Sequence, residues 1–215
     1  RGTLKLDVGT TATANPFEGQ IVLGSSVVLD KDGSGEFVIT PGGESPNQIY
    51  DLSLNNGTLR LGNADALSNY GSPYSGTIFF RGGTLAQGSA KDFSSNFSNE
   101  ANQQFKIRDI GSSGVTYSSP LVSDGGSLEL VGGKLTLLAD NTYTGATTVT
   151  AGTLTVGNGS VSTPEGSLSD STSVSIAAGA EYQLANNDEV ASISGSGTLD
   201  LGISPSEYTL TAGAD

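Results

Sequence analysis

The chain has 215 residues, of which only 14% are charged, 31 are glycine, and none is Cys, His, Met or Trp. Without His or Cys there is no usual zinc ligand set, no Ser-His-Asp or Cys-His nucleophile and no imidazole proton shuttle. Nine Lys and Arg against 22 Asp and Glu give a net charge of −13, and no base follows Lys134, so the chain beyond it carries only carboxylates and repels nucleic-acid phosphates and anionic membranes.

In chain order, short runs of period two separated by Gly, Ser, Asn and Pro predict strands and turns rather than amphipathic helices. Residues 3–8 alternate, with Leu4, Leu6 and Val8 on the inner face. After a turn at 15–19, residues 20–23, 26–29 and 36–40 read as three short strands, enough for one coil of a solenoid. A loop at 41–46 and a strand at 49–54 lead into Gly57-Thr-Leu-Arg-Leu61. Residues 62–76 and 87–113 read as loop excursions, and 99–105 as either a helical turn or a protruding loop. No apolar run reaches the roughly 20 residues that span a bilayer, and no signal-peptide pattern opens the chain. Arg1 at the first position is read as the start of an excised or processed piece.

One figure recurs: Gly2-Thr-Leu-Lys-Leu6, Gly57-Thr-Leu-Arg-Leu61, Gly126-Ser-Leu-Glu-Leu130, Gly133-Lys-Leu-Thr-Leu137, Gly152-Thr-Leu-Thr-Val156 and Gly197-Thr-Leu-Asp-Leu201. The glycine makes a corner and the alternation sends two apolar side chains inward. Leu135, Leu154, Val174 and Leu199 follow one another at intervals of roughly 20–25 residues, read as one circuit of three short strands. Stacked circuits bury what one alone cannot. The expected inward set is Leu59, Leu61, Leu135, Leu137, Leu154, Val156, Val174, Ile176, Leu199 and Leu201, with Lys5, Arg60, Glu129, Lys134 and Asp200 outward.

Asn141-Thr-Tyr-Thr-Gly-Ala-Thr-Thr-Val-Thr-Ala-Gly-Thr-Leu154 resembles the signature of the autotransporter-associated β-strand repeat, or passenger-associated transport repeat, of large Gram-negative surface proteins. The flanking runs at 92–97, 114–130, 174–180 and 193–202 resemble that family's pattern too. Period and resemblance together imply an all-β, right-handed parallel β-helix of about nine coils, with residues 1–215 as a single segment. The resemblance implies a cell-surface or secreted passenger region: a stalk, adhesin scaffold or building block of an extracellular assembly. The expected partners are adjacent coils of the parent protein or head-to-tail copies, and surface glycans or proteins. The rival readings are a carbohydrate-active β-helix enzyme, a lyase or glycoside hydrolase, and a self-assembling filament or sheath subunit.

Two groups invite chemistry. Asp30-Lys-Asp-Gly-Ser-Gly-Glu36 has the oxygen spacing of half a calcium loop at Asp30, Asp32 and Ser34. The twelfth place is Pro41 and the flanks read as strands, so the expectation is a plain acidic turn, with weak calcium binding completed by Glu36 or Glu44 as the alternative. No cofactor is otherwise expected. Paired carboxylates are easily placed on a β-helix, but a lyase needs a base beside them. Only Arg60, Arg81, Lys91, Lys106 and Arg108 lie mid-chain, and no catalytic cluster emerges. Tyr50, Tyr70, Tyr74, Phe79, Phe80 and Tyr117 either stack on sugars or fill the core; Phe80 is assigned to the core, Tyr70 and Tyr74 to the surface.

Overall fold

A computed structural model of the protein describes residues 2–9, 21–40, 47–63, 66–67, 75–88, 91–160, 165–202 and 207–213. Along them run β1 (Gly2–Asp7), β2 (Val27–Asp32), β3 (Glu36–Ile39), β4 (Asp51–Leu54), β5 (Thr58–Leu61), β6 (Ile78–Phe80), β7 (Thr84–Gln87), β8 (Gln104–Asp109), β9 (Val115–Tyr117), β10 (Ser127–Gly132), β11 (Lys134–Leu137), β12 (Thr147–Val149), β13 (Thr153–Val156), β14 (Ser173–Ile176), β15 (Glu181–Leu184), β16 (Asp188–Val190), β17 (Ser192–Gly195), β18 (Thr198–Asp200) and β19 (Leu210–Ala212). A single 3₁₀ turn, Ser94–Asn96, is the helical content of the described residues, and no helix among them is long and apolar enough to cross a membrane. Tyr70 and Tyr74 lie outside the described residues, as does Glu44.

All pairings between these strands are parallel. Parallel neighbours cannot be joined by a hairpin, and here each return is one circuit of the chain. The strands stack as β1-β2-β4-β6, as β3-β5-β7-β8-β10-β12-β14-β17, as β9-β11-β13-β15-β18 and as β16-β19. The molecule is a parallel β-helix of about eight turns rather than nine. The shortfall comes from long circuits: those from Leu52 to its partner Ile78 and from Leu154 to its partner Tyr182 each take more chain than the circuit from Leu135 to Leu154.

The eight-stranded sheet forms the spine. The four-stranded side ends at β6 with one further bridge, Ile78 to Phe97, and the five-stranded side begins at β9. Phe80, Phe97, Phe105 and Tyr117 fill the interior at this handover, with edge-to-face contacts of 4.8 Å between Phe80 and Phe97 and 5.1 Å between Phe97 and Tyr117. Such ring pairs add about 0.5–1.5 kcal/mol each beyond their buried area. Gln104–Asp109, expected inside an excursion, is a regular rung between β7 and β10, because Phe105 and Ile107 complete the inner columns there.

The inward set is buried from Leu59 to Ile176; Arg60 and Lys134 are exposed beside such residues, Lys5 is exposed on β1, and Glu129, expected outward, is half-buried. Three expectations are corrected. Leu199 and Leu201 are 39% and 42% exposed, because β18 is the outermost described strand of its sheet and no described strand stacks on it; Leu4, on β1 at the other end, is likewise 39% exposed. Asp200 is half-buried, its carboxylate accepting a bond from Gln183 at 2.9 Å. Val174 is not the successor of Leu154. It stacks on Thr147 in the long sheet, while Tyr182 follows Leu154, since the circuit after Gly157 is longer than the preceding one.

Candidate functional site

The acidic corner is built by β2, the turn after it and β3. Asp30 and Asp32 lie on β2, in register with Lys5 and Asp7 of β1. The Asp32 carboxylate takes the Lys5 ammonium at 2.8 Å and the Gly33 amide at 2.9 Å, and the Lys5 bond chiefly holds its pKa below the usual value. Glu36 sits on the eight-stranded sheet, 3.6 Å from Arg60 and 3.8 Å from Arg108. Ser34 is exposed at the turn. Among the described residues no three acidic side chains converge as a metal cage.

What the corner does hold is an internal cation. Lys31 follows Leu29 by two residues, so strand alternation turns it inward, and it is fully buried. Its ammonium donates to the carbonyls of Asp32 at 2.6 Å, Gly33 at 2.8 Å and, one circuit on, Asn56 at 3.2 Å. Burial lowers its pKa, the Asp32 and Asp7 charges opposing the shift. Three carbonyl oxygens that would attract a small cation already face an ammonium.

An open cleft of about 480 Å³ lies where β6 ends its sheet, between residues 75–79 and 95–100. Half-exposed Phe79 forms one wall, with the Arg81 guanidinium 5.3 Å from its ring centre and Glu100 paired to Arg81 at 3.7 Å. Ser95 and Asn99 are exposed beside it. The 3₁₀ turn that carries Ser95 and Asn96 is tied down by Asp92, which accepts from Ser94 and, across one circuit, from the amide and hydroxyl of Ser118. Burial would raise the Asp92 pKa, but these bonds together hold it down. Tyr117 is core, its hydroxyl donating to Gln87 at 3.1 Å.

The remaining mid-chain bases face outward. Lys106 pairs with Glu129 at 3.4 Å across adjacent rungs, and Lys91 lies over Phe93 at 5.5 Å. Arg60 and Arg108 share Glu36, so the bases are spread over the sheet's outer face.

A set of polar residues with no reading from the sequence holds the third side of the helix. The buried amide of Asn47 accepts from Ile21 N–H at 2.7 Å and donates to the Ala66 carbonyl at 2.9 Å. Asn141 repeats this, accepting from Leu121 N–H at 2.9 Å and donating to the Ser167 carbonyl at 2.8 Å. Each side chain thus ties three successive passes of chain. Asn141 opens the Asn-Thr-Tyr-Thr-Gly motif, which was the available signal.

A repeating parallel coil, stitched by buried asparagines, makes the chain a parallel β-helix by its fold. Residues 132–156, which carry Gly133, Asn141 and Gly152, match the family described as passenger-associated-transport-repeat. The chain therefore contains an autotransporter passenger repeat. No curated protein and no solved structure matches the chain.

Proposed function

We propose that the protein is a non-catalytic segment of a surface-displayed or secreted passenger, serving as a stalk or scaffold that continues into further coils. The carrying observation is the unbroken eight-stranded parallel spine with apolar columns through it, together with the passenger repeat at 132–156. Its exposed Leu4, Leu199 and Leu201 are core residues awaiting another rung. Placed between a signal peptide and an outer-membrane β-barrel anchor in a Gram-negative host, the segment should reach the surface and be shaved by external protease. Retention in the periplasm would count against the reading.

The Phe79 cleft favours a second, adhesive role for the same rod. An aromatic face beside amide, hydroxyl, carboxylate and guanidinium groups suits the CH face and vicinal hydroxyls of a neutral sugar. Saturation-transfer NMR against neutral oligosaccharides tests it: a transfer signal abolished by Phe79→Ala supports the role, and no transfer to any sugar removes it.

A further inference from the structure

Asp188 occupies, near the end of the helix, the place that Asn47 and Asn141 hold in earlier coils. In each case the side chain's Oδ takes the N–H of a residue on the preceding pass: Ile21 for Asn47, Leu121 for Asn141 and Leu168 for Asp188, the last at 3.1 Å to Oδ1 and 3.3 Å to Oδ2. In the later two the backbone continues the analogy. The Asn141 amide N–H donates to Ser167 and the Asp188 amide N–H to Thr209, both at 3.0 Å. The difference is the other side-chain atom. Asn141 Nδ2 also donates to the Ser167 carbonyl, whereas an ionised Asp188 has nothing to donate.

The carboxylate is poorly compensated as a charge. It is 5% exposed, and its partners are neutral donors: Leu168 N–H, Glu189 N–H at 3.1 Å and Tyr182 Oη at 2.7 Å. The charged groups around it have its own sign. Asp170, from the turn before β14, and Glu189, on β16 itself, line the same open cleft of about 420 Å³, with Thr209 and Thr211 from the β19 side. Tyr182 on β15 and Tyr143 on the pass below are neutral phenols whose pKa values burial pushes up. No Lys or Arg follows Lys134 in the sequence. The cleft gives water, and so protons, a path to the group.

We propose that Asp188 is an acid-closed clasp: protonated, it gains the donor that Asn47 and Asn141 direct to the following pass and ties β16 to the Thr209 pass that carries β19, and ionised it holds that pass more loosely. The burial that disfavours the charge, with Asp170 adding to it, pushes its pKa up to about 6 against the bonds from Tyr182, Leu168 and Glu189. A folded-state pKa raised above the ordinary 3.8 means that the folded form holds the proton more tightly. The stabilisation is then complete below pH 3.8 and is lost as pH rises through about 6. The clasp does not depend on the biological role proposed above.

The reciprocal swap tests it. In the full chain, amide-exchange protection factors, corrected for intrinsic rates, are measured at pH 5 and pH 7.5 for Asp188 and Gly213, whose N–H groups bond Thr209 and Val190 across this rung. Native protein should lose protection about tenfold at the higher pH, and Asp188→Asn should be flat. Asn141→Asp should bring the same pH dependence to the Asn141 position. A native chain flat over this range, or an Asp188→Asn chain that keeps the dependence, overturns the proposal. Should Asn141→Asp fail to fold, a carboxyl ¹³C titration of the native chain decides: a midpoint near 6 supports the clasp and one below 4.5 rejects it.

Discussion

Gly152 lies directly over Gly133, and the carbonyl oxygen of Gly133 fills the space that a side chain on Gly152 would need. Both sit at left-handed φ, +83° and +81°, at the corner that precedes the Gly-x-Leu-x-Leu/Val strand. The corner must be this tight because Lys134 and Thr153 start consecutive rungs of one sheet, and Thr153 N–H bonds Gly133 O at 2.9 Å. Gly152→Ala is expected to cost about 2–4 kcal/mol, from the left-handed strain and the displaced neighbour. Urea unfolding measures it; a loss under about 0.5 kcal/mol, the scale of an ordinary surface substitution, would mean that the rungs are not stacked this closely.

Core columns and end rungs should respond differently to the same truncation. Leu154 is fully buried between Leu135 and Tyr182, so Leu154→Ala should cost about 2–5 kcal/mol. Leu199 continues that column but is 39% exposed, and Leu199→Ala should cost under about 1 kcal/mol. Equal losses at the two positions would mean that Leu199 is covered in solution, as by a second copy. Light scattering would then report association.

This contrast marks what was legible in the sequence. Period-two alternation placed Leu59 to Ile176 inside because each lies between rungs, and the Gly-Thr-Leu figure located the corners. Which residues stack on which was less legible. Spacing alone put Val174 above Leu154, yet that circuit takes more chain than the one before it and brings Tyr182 there instead. Polar residues that belong to the interior were the hardest to read. Lys31 and Asn141 look like surface residues until the carbonyls and amides of neighbouring passes, far off in sequence, are brought around them.

Asn141 should be the costliest single polar residue to remove. Asn141→Leu leaves Leu121 N–H and the Ser167 carbonyl without their side-chain partner in a buried setting, a loss of about 2–4 kcal/mol. Thermal unfolding should register it as a drop of several degrees, and an unchanged midpoint would show that water replaces the amide freely.

Calcium should bind the acidic corner only in the millimolar range. Asp32 is engaged by Lys5, Glu36 lies on another sheet with Arg60 and Arg108, and the Lys31 ammonium occupies the corner's carbonyls. Calorimetric titration reads this directly. Micromolar affinity lost on Asp32→Ala would mean that the corner rearranges around the ion.

The stack itself can be measured with two labels, because the chain has no cysteine of its own. Thr116, Thr136, Thr155, Gln183 and Asp200 form one column on the outer face of the five-stranded sheet, each in register with the next. Four rung spacings of about 4.8 Å put the backbones of Thr116 and Asp200 about 19 Å apart, although the two are distant in sequence. Nitroxides on Thr116→Cys and Asp200→Cys, read by pulsed electron–electron double resonance, should give one narrow distribution centred between about 15 and 25 Å, the spread allowed by the label arms. A broad distribution, or a centre beyond about 30 Å, would contradict the parallel β-helix on which the rest of the account stands.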